Sequence, residues 1–194
     1  MDQWVVGTVG RTLAVFCLQE AFVDASTPFR YPRRVRWIHW LSVALVAVSY
    51  LTAESAESLD GRGAGAWHVL TGLALLLLFV PRLLVRIGAG HAPSTRSAYE
   101  AWSARLVHLA LLLFVVVQPL LGILSVWAEG HALPVPFTGW EVGPWVMPSE
   151  AWGDVLEDLH EDVGNAFYAV IALHALAALW HQFIRRDGVL RRMW

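Results

Sequence analysis

The sequence predicts an all-α membrane protein, a bundle of four transmembrane helices with both termini on the cytoplasmic side. Of its 194 residues, 57% are hydrophobic and only 15% charged, with a mean hydropathy of +0.51. That is too apolar for an ordinary soluble domain. Four apolar runs each approach or exceed the roughly 20 residues that cross a hydrocarbon core, and the arginines cluster at alternate connections between them.

The first 30 residues hold an apolar stretch, Trp4 to Val23, interrupted by Arg11, Gln19 and Glu20. No small-residue cleavage site follows it, so it reads as an interfacial or disordered extension. Residues 31–194 form the single helical domain. Its spans are predicted at about 35–53, 67–87, 102–127 and 160–183. Trp37, Trp40, Trp67, Trp102, Trp127 and Trp180 fall toward the span ends, where indole rings prefer the headgroup region. Arg30, Arg33, Arg34 and Arg36 precede the first span, Arg82, Arg86, Arg96 and Arg105 surround the second connection, and Arg185, Arg186, Arg191 and Arg192 follow the fourth. The first and third connections hold Arg62 alone, so the positive-inside rule turns them outward and leaves both termini cytoplasmic. The third connection, rich in Pro, Gly and Trp, is expected to cap the outer end of the bundle.

Composition also excludes. A net charge of −2 without any Lys offers no dense basic patch for nucleic acid. A lone Cys17 permits no internal disulfide, and no C-x-x-C-H is present for covalent haem attachment.

The chemistry is carried by histidine. Eight occur, and His39, His68, His108, His160, His174 and His181 lie in or at the ends of the spans. One intramembrane histidine is most simply a neutral group bonded across helices; this many in one small bundle point to a site, because burying ionisable groups in lipid is expensive. His160 and His174 are 14 residues apart, which places them on nearly one helix face and roughly 21 Å apart along the axis. That separation suits two stacked haems b, held without a covalent link. His68 and His160, both at outer span ends, form one ligand pair. Two axial imidazoles give a six-coordinate, low-spin iron for electron transfer. For the inner haem, His39 can meet His174 or His181, with His108 also at a plausible depth; depth alone slightly prefers His181. Gly72 and Gly164, each four residues beyond a ligand, share the ligand's face and would let a flat macrocycle approach, although helix packing explains each as well. For Gly122, near Pro119, packing is the better reading. Most of the arginines read as topology signals that snorkel to the interface.

These features resemble the bacterial cytochrome b561 family, short di-haem membrane cytochromes that include a superoxide oxidase. The resemblance covers residues 31–194 and is carried by Tyr31 to Trp40 (YPRRVRWIHW), Trp67 to Gly72 (WHVLTG), Pro81 to Arg86 (PRLLVR), Leu159 to Asn165 (LHEDVGN) and, most specifically, Leu173 to His181 (LHALAALWH). It implies ligand pairs His39 with His174 and His68 with His160. His108, His181 and Arg82 are then candidates for quinone or propionate contacts. Residues 1–30 depart from the family, and nothing carries over to them.

The resemblance implies a multi-pass oxidoreductase of the bacterial inner membrane, taking electrons from a small-molecule donor at the outer face, superoxide by analogy, and delivering them to ubiquinone. One feature opposes steering of an anion. The outer segments hold Glu54, Glu57, Asp60, Glu129, Glu141, Glu150, Asp154, Glu157, Asp158, Glu161 and Asp162 against Arg62, a field that attracts cations, so a cationic protein partner at the outer face is a further candidate. The rival reading is a cytochrome b anchor subunit of a hydrogenase-like or other quinone-reducing complex.

Overall fold

Proline and serine set the helix boundaries. In the computed structural model, which describes residues 29–55, 63–88 and 97–194, helix α1 (Arg33–Leu51) starts directly after Pro32, whose carbonyl accepts from the Val35 and Arg36 amides. It stops at Thr52, whose hydroxyl bonds back to the Val48 carbonyl at 2.7 Å and so competes with continuation of the ladder. A 3-10 turn, Ala53–Ser55, follows. The N-terminal extension with Cys17, together with Glu57, Asp60, Arg62 and Arg96, lies outside the described residues.

Helix α2 (Gly63–Gly88) runs through Pro81 and α3 (Ala98–Ala128) through Pro119. Each proline withholds one backbone donor, which a helix in a bundle tolerates where neighbours re-satisfy the freed carbonyl. Ser97 caps α3 by accepting from the Glu100 amide at 3.3 Å, the S-x-x-E pattern of a helix start. Helix α4 (Glu150–Trp180) begins ten residues before the predicted span. Its acidic first part is too polar to register as a span yet carries no helix breaker except Gly153. The Ser149 amide ties its start to the Ala128 carbonyl at the end of α3 (2.7 Å). Past Trp180 the ladder loosens into a π turn, His181–Arg185, and a 3-10 turn, Leu190–Met193.

From Tyr31 onward the chain is one unit, in which α1 packs along α2, α3 along α4, and α2 also touches α3. Contact of α4 with α1 and α2 is made through side chains, the histidines among them. Many buried positions are small or weakly polar, among them Ser42, Gly65, Ala66, Thr71, Ser125 and Gly153, as close helix approach in lipid requires, with Leu75, Phe114 and Val115 filling the space between them. Many large apolar residues face outward, including Leu77, Leu84, Leu113, Leu176 and Phe183. Among the described residues three helices are long and apolar enough to cross a membrane, Gly63–Gly88, Ala98–Ala128 and Glu150–Arg185. With 19 residues, α1 is shorter, and its first turn carries Arg33, Arg34 and Arg36, the last bonded to the Trp194 carbonyl.

The third connection folds into an antiparallel hairpin, β1 (Leu133–Val135) with β2 (Trp140–Val142), paired Leu133 to Val142 and Val135 to Trp140. Phe137 at its tip meets the Trp67 ring of α2 at 5.4 Å. The Trp127 indole donates to the Val142 carbonyl at 2.9 Å. Trp127 is therefore buried under the hairpin, whereas Trp37, Trp40, Trp67, Trp102 and Trp180 are exposed. Gly143 makes this possible: at φ +85°, a Cβ there would lie 2.3 Å from the Trp127 Nε1.

Candidate cofactor site

Two pairs of histidine rings stand at different levels along α4, each joining it to another helix. His68 of α2 and His160 of α4 face each other with ring centres 6.0 Å apart. His39 of α1 and His174 of α4 are 6.5 Å apart. The fourteen-residue step between the α4 members keeps its spacing because α4 is continuous across it.

The outer pair is held from behind. His68 Nδ1 donates to the Ser49 carbonyl at 2.9 Å, and the Ser49 and Thr71 hydroxyls, 2.7 Å apart, lock α1 to α2 at that level. His160 Nδ1 donates to the Gln118 carbonyl at 3.0 Å, while the Gln118 amide donates to the His160 carbonyl at 2.6 Å. These carbonyl partners assign the proton of each ring to Nδ1 and leave the lone pair on Nε2, the arrangement by which ligating histidines are oriented. The small residue that admits the His160 ring is Gly122: a Cβ there would lie 3.0 Å from the ring's Cε1. Gly72 looks toward Pro119, and Gly164 toward the Gln118 amide at 3.1 Å, with its carbonyl accepting from the Tyr50 hydroxyl at 2.7 Å.

At the inner level the ring that approaches His39 is that of His174. His108 of α3 also touches His174, ring centres 5.3 Å apart. Depth alone slightly preferred His181, but that residue sits where α4 loosens, and its Nδ1 meets the Asp187 carboxylate at 2.5 Å. Arg82 reaches Ser42 Oγ at 2.9 Å, and its charge acts on both His39 and His174. Between the two levels lies an aromatic layer: Phe114 stacks on Phe167 at 4.2 Å, and Tyr50 meets Tyr168 at 4.3 Å.

The donor set can be tested against haem. With metal–imidazole bonds of about 2 Å and roughly 1 Å from ring nitrogen to ring centre, imidazoles sharing one iron stand about 6 Å apart. Both facing pairs have that separation, and the His108–His174 contact is closer than it. Among the described residues no group of three or more His, Cys, Asp or Glu is placed to hold a bare metal ion. Two nitrogens with a gap between them suit a metal whose other ligands come from a macrocycle.

Gln118 and Ser49 carry no motif in the sequence, and Gly122, which the sequence assigns to packing, borders the His160 ring instead. Gln118 had left a trace, the one amide side chain in an otherwise apolar run. The first part of α4 carries Glu150, Asp154, Glu157, Asp158, Glu161 and Asp162. Burial, and then the charges of Glu129, Glu161, Asp158 and Asp154, push the Glu157 carboxyl above its ordinary value.

The prokaryotic cytochrome b561 family matches residues 30–194. Cytochrome b561 homolog 1 of Escherichia coli is 29% identical over 173 residues, 84% of this chain and 96% of that protein. A probable superoxide oxidase CybB of Yersinia pestis is 28% identical over 167 residues, 80% and 90% of the two chains. Cytochrome b562 of Cereibacter sphaeroides is 28% identical over 172 residues, covering 84% and 94%.

Proposed function

Because the chain belongs to the prokaryotic cytochrome b561 family, membrane b-type cytochromes of electron transfer, we propose that it is a four-span, di-haem oxidoreductase of the bacterial inner membrane. In this reading it draws electrons from an outer-face donor and delivers them to ubiquinone. The observation that carries the reading is the pair of histidine pairs, at 6.0 and 6.5 Å, stacked along one helix.

His68 and His160 would hold the outer haem b, His39 and His174 the inner one. Each bis-imidazole iron supplies a low-spin centre that exchanges one electron at a time. The protein's own part is to fix the ligands. Ser49 and Gln118 hold the outer rings by their Nδ1 protons, and the hairpin closes over Trp67 and Trp127 above them. Arg82, tied to Ser42, keeps a positive charge beside the inner pair, where it opposes gathering of further cations and favours anionic groups. His108 and His181 are the proposed contacts for the quinone or for propionates. Cytoplasmic termini follow from the arginine distribution, and α1 crosses as the fourth span with its arginines at the inner interface.

Superoxide is the proposed donor, on the strength of the relative named a probable superoxide oxidase. Two superoxide anions release one electron each and leave as dioxygen, and the quinone takes up both electrons and two protons to become quinol. The acidic outer part of α4 supports the alternative of a cationic donor protein. Stopped-flow mixing of the purified protein with superoxide, with and without ubiquinone, separates these: rapid reduction of the haem bands, then reoxidation by ubiquinone, is expected. Bands that stay oxidised under superoxide would exclude it as donor.

A further inference from the structure

The inner end of α4 is built into a reversal rather than a simple stop. After the π turn His181–Arg185, Arg186 takes a left-handed conformation at φ 53° and Gly188 another at φ 71°, and the chain folds back into the turn Leu190–Met193. The reversal sets Arg191 beside Gln182, Phe183, Arg186 and Gly188 around an open cavity of about 350 Å³.

Charges around this cavity are sorted. The Asp187 carboxylate is engaged by His181 Nδ1 at 2.5 Å and by the Val189 amide at 3.3 Å. Glu100, at the start of α3, pairs with Arg185. Arg186 and Arg191 line the cavity, with Arg186 Nε donating to the Phe183 carbonyl at 3.4 Å. Gln182 completes the lining. Beside the cavity, Leu176, Trp180 and Phe183 are exposed at helical spacing on one outward face.

We propose that this cavity binds the phosphate headgroup of an anionic phospholipid. Arg186 and Arg191 pair with the phosphate, and the acyl chains lie along Leu176, Trp180 and Phe183. Basic pockets at the edge of a transmembrane bundle are suited to such headgroups. A quinone, being neutral, gains far less from two guanidinium charges. The inference needs only that α4 ends at a membrane surface, so it stands or falls separately from the haem and donor assignments.

The test uses the whole haem-loaded protein in neutral detergent, titrated with phosphatidylglycerol, phosphatidylcholine, inorganic phosphate or ubiquinone. Native mass spectrometry and the thermal midpoint are the readouts. One phosphatidylglycerol retained per chain is expected, with a raised midpoint. In the double variant R186Q/R191Q its affinity should fall at least about tenfold, a loss typical of removed charge-assisted bonds, with haem absorption unchanged. Raising the salt concentration should weaken the wild-type effect in the same direction, which tests the proposal even if the variant does not fold. Equal lipid retention by wild type and variant would overturn it. So would equal stabilisation by inorganic phosphate, which would make this a free-anion site, or displacement of the lipid by ubiquinone.

Discussion

Replacing Gly122 with alanine should disable the outer haem site without touching a ligand. The added Cβ would stand 3.0, 3.3 and 3.6 Å from Cε1, Nδ1 and Nε2 of His160. Non-bonded carbons settle at about 3.5–4.0 Å, so the ring must retreat by about 0.5 Å. It cannot do so freely, because its Nδ1 is held at 3.0 Å by the Gln118 carbonyl and its backbone carbonyl at 2.6 Å by the Gln118 amide. Metal sites tolerate shifts of about 0.2 Å, and disturbed support of a ligand costs about 10–100-fold in affinity. Alanine's better helix propensity returns about 1 kcal/mol, against about 1–3 kcal/mol for overpacking. Stability should therefore fall modestly while haem binding falls steeply. Reduced-minus-oxidised spectra and the pyridine haemochrome assay would show loss of one of two haem signals, with Gly88→Ala, which meets nothing within 4 Å, as the control. A Gly122→Ala protein with wild-type spectra and full haem content would refute this reasoning.

Other outcomes are expected from the same geometry. His39→Ala or His174→Ala should each remove one haem and leave the His68–His160 signal, while His181→Ala keeps both and slows quinone reduction; spectra of the three variants check this. Gly143→Ala combines a strained φ with a Cβ 2.3 Å from the Trp127 indole, so the hairpin should lift from α3 at a cost of about 1–3 kcal/mol, visible as a lower thermal midpoint and altered Trp fluorescence. Glu157→Gln should raise the midpoint at neutral pH. A carboxyl whose folded value is raised costs stability above that value, and the cost fades as pH falls through it and then through the unfolded value. The wild-type and variant curves should converge in acid, and a constant gap at every pH would contradict this.

Much of this arrangement is readable in the chain. Hydropathy finds the helices because lipid demands apolar surface over the whole length of a span, and the step from His160 to His174 survives folding because α4 is unbroken there. What sequence reading misses lies where one helix serves another. Gln118 and Gly122 support a ligand on α4, 42 and 38 residues away in the chain, and no periodicity within α3 reports a partner on α4. The glycines chosen by position, Gly72 and Gly164, sit against Pro119 and Gln118, whereas Gly122, set aside as packing, borders the His160 ring. Depth alone leaned to His181 because a regular helix was assumed to its end. In the structure His181 opens the π turn and its ring meets Asp187. The acidic start of α4 was read as loop because polarity, sufficient to end a span, is not sufficient to end a helix.

The central claim, two haems on two histidine pairs, is tested most directly by haem stoichiometry. The purified protein, assayed by pyridine haemochrome against quantitative amino-acid analysis, should carry two haems b per chain, with absorption and electron paramagnetic resonance spectra of low-spin, bis-imidazole iron. One haem per chain, none, or a high-spin centre would contradict the account.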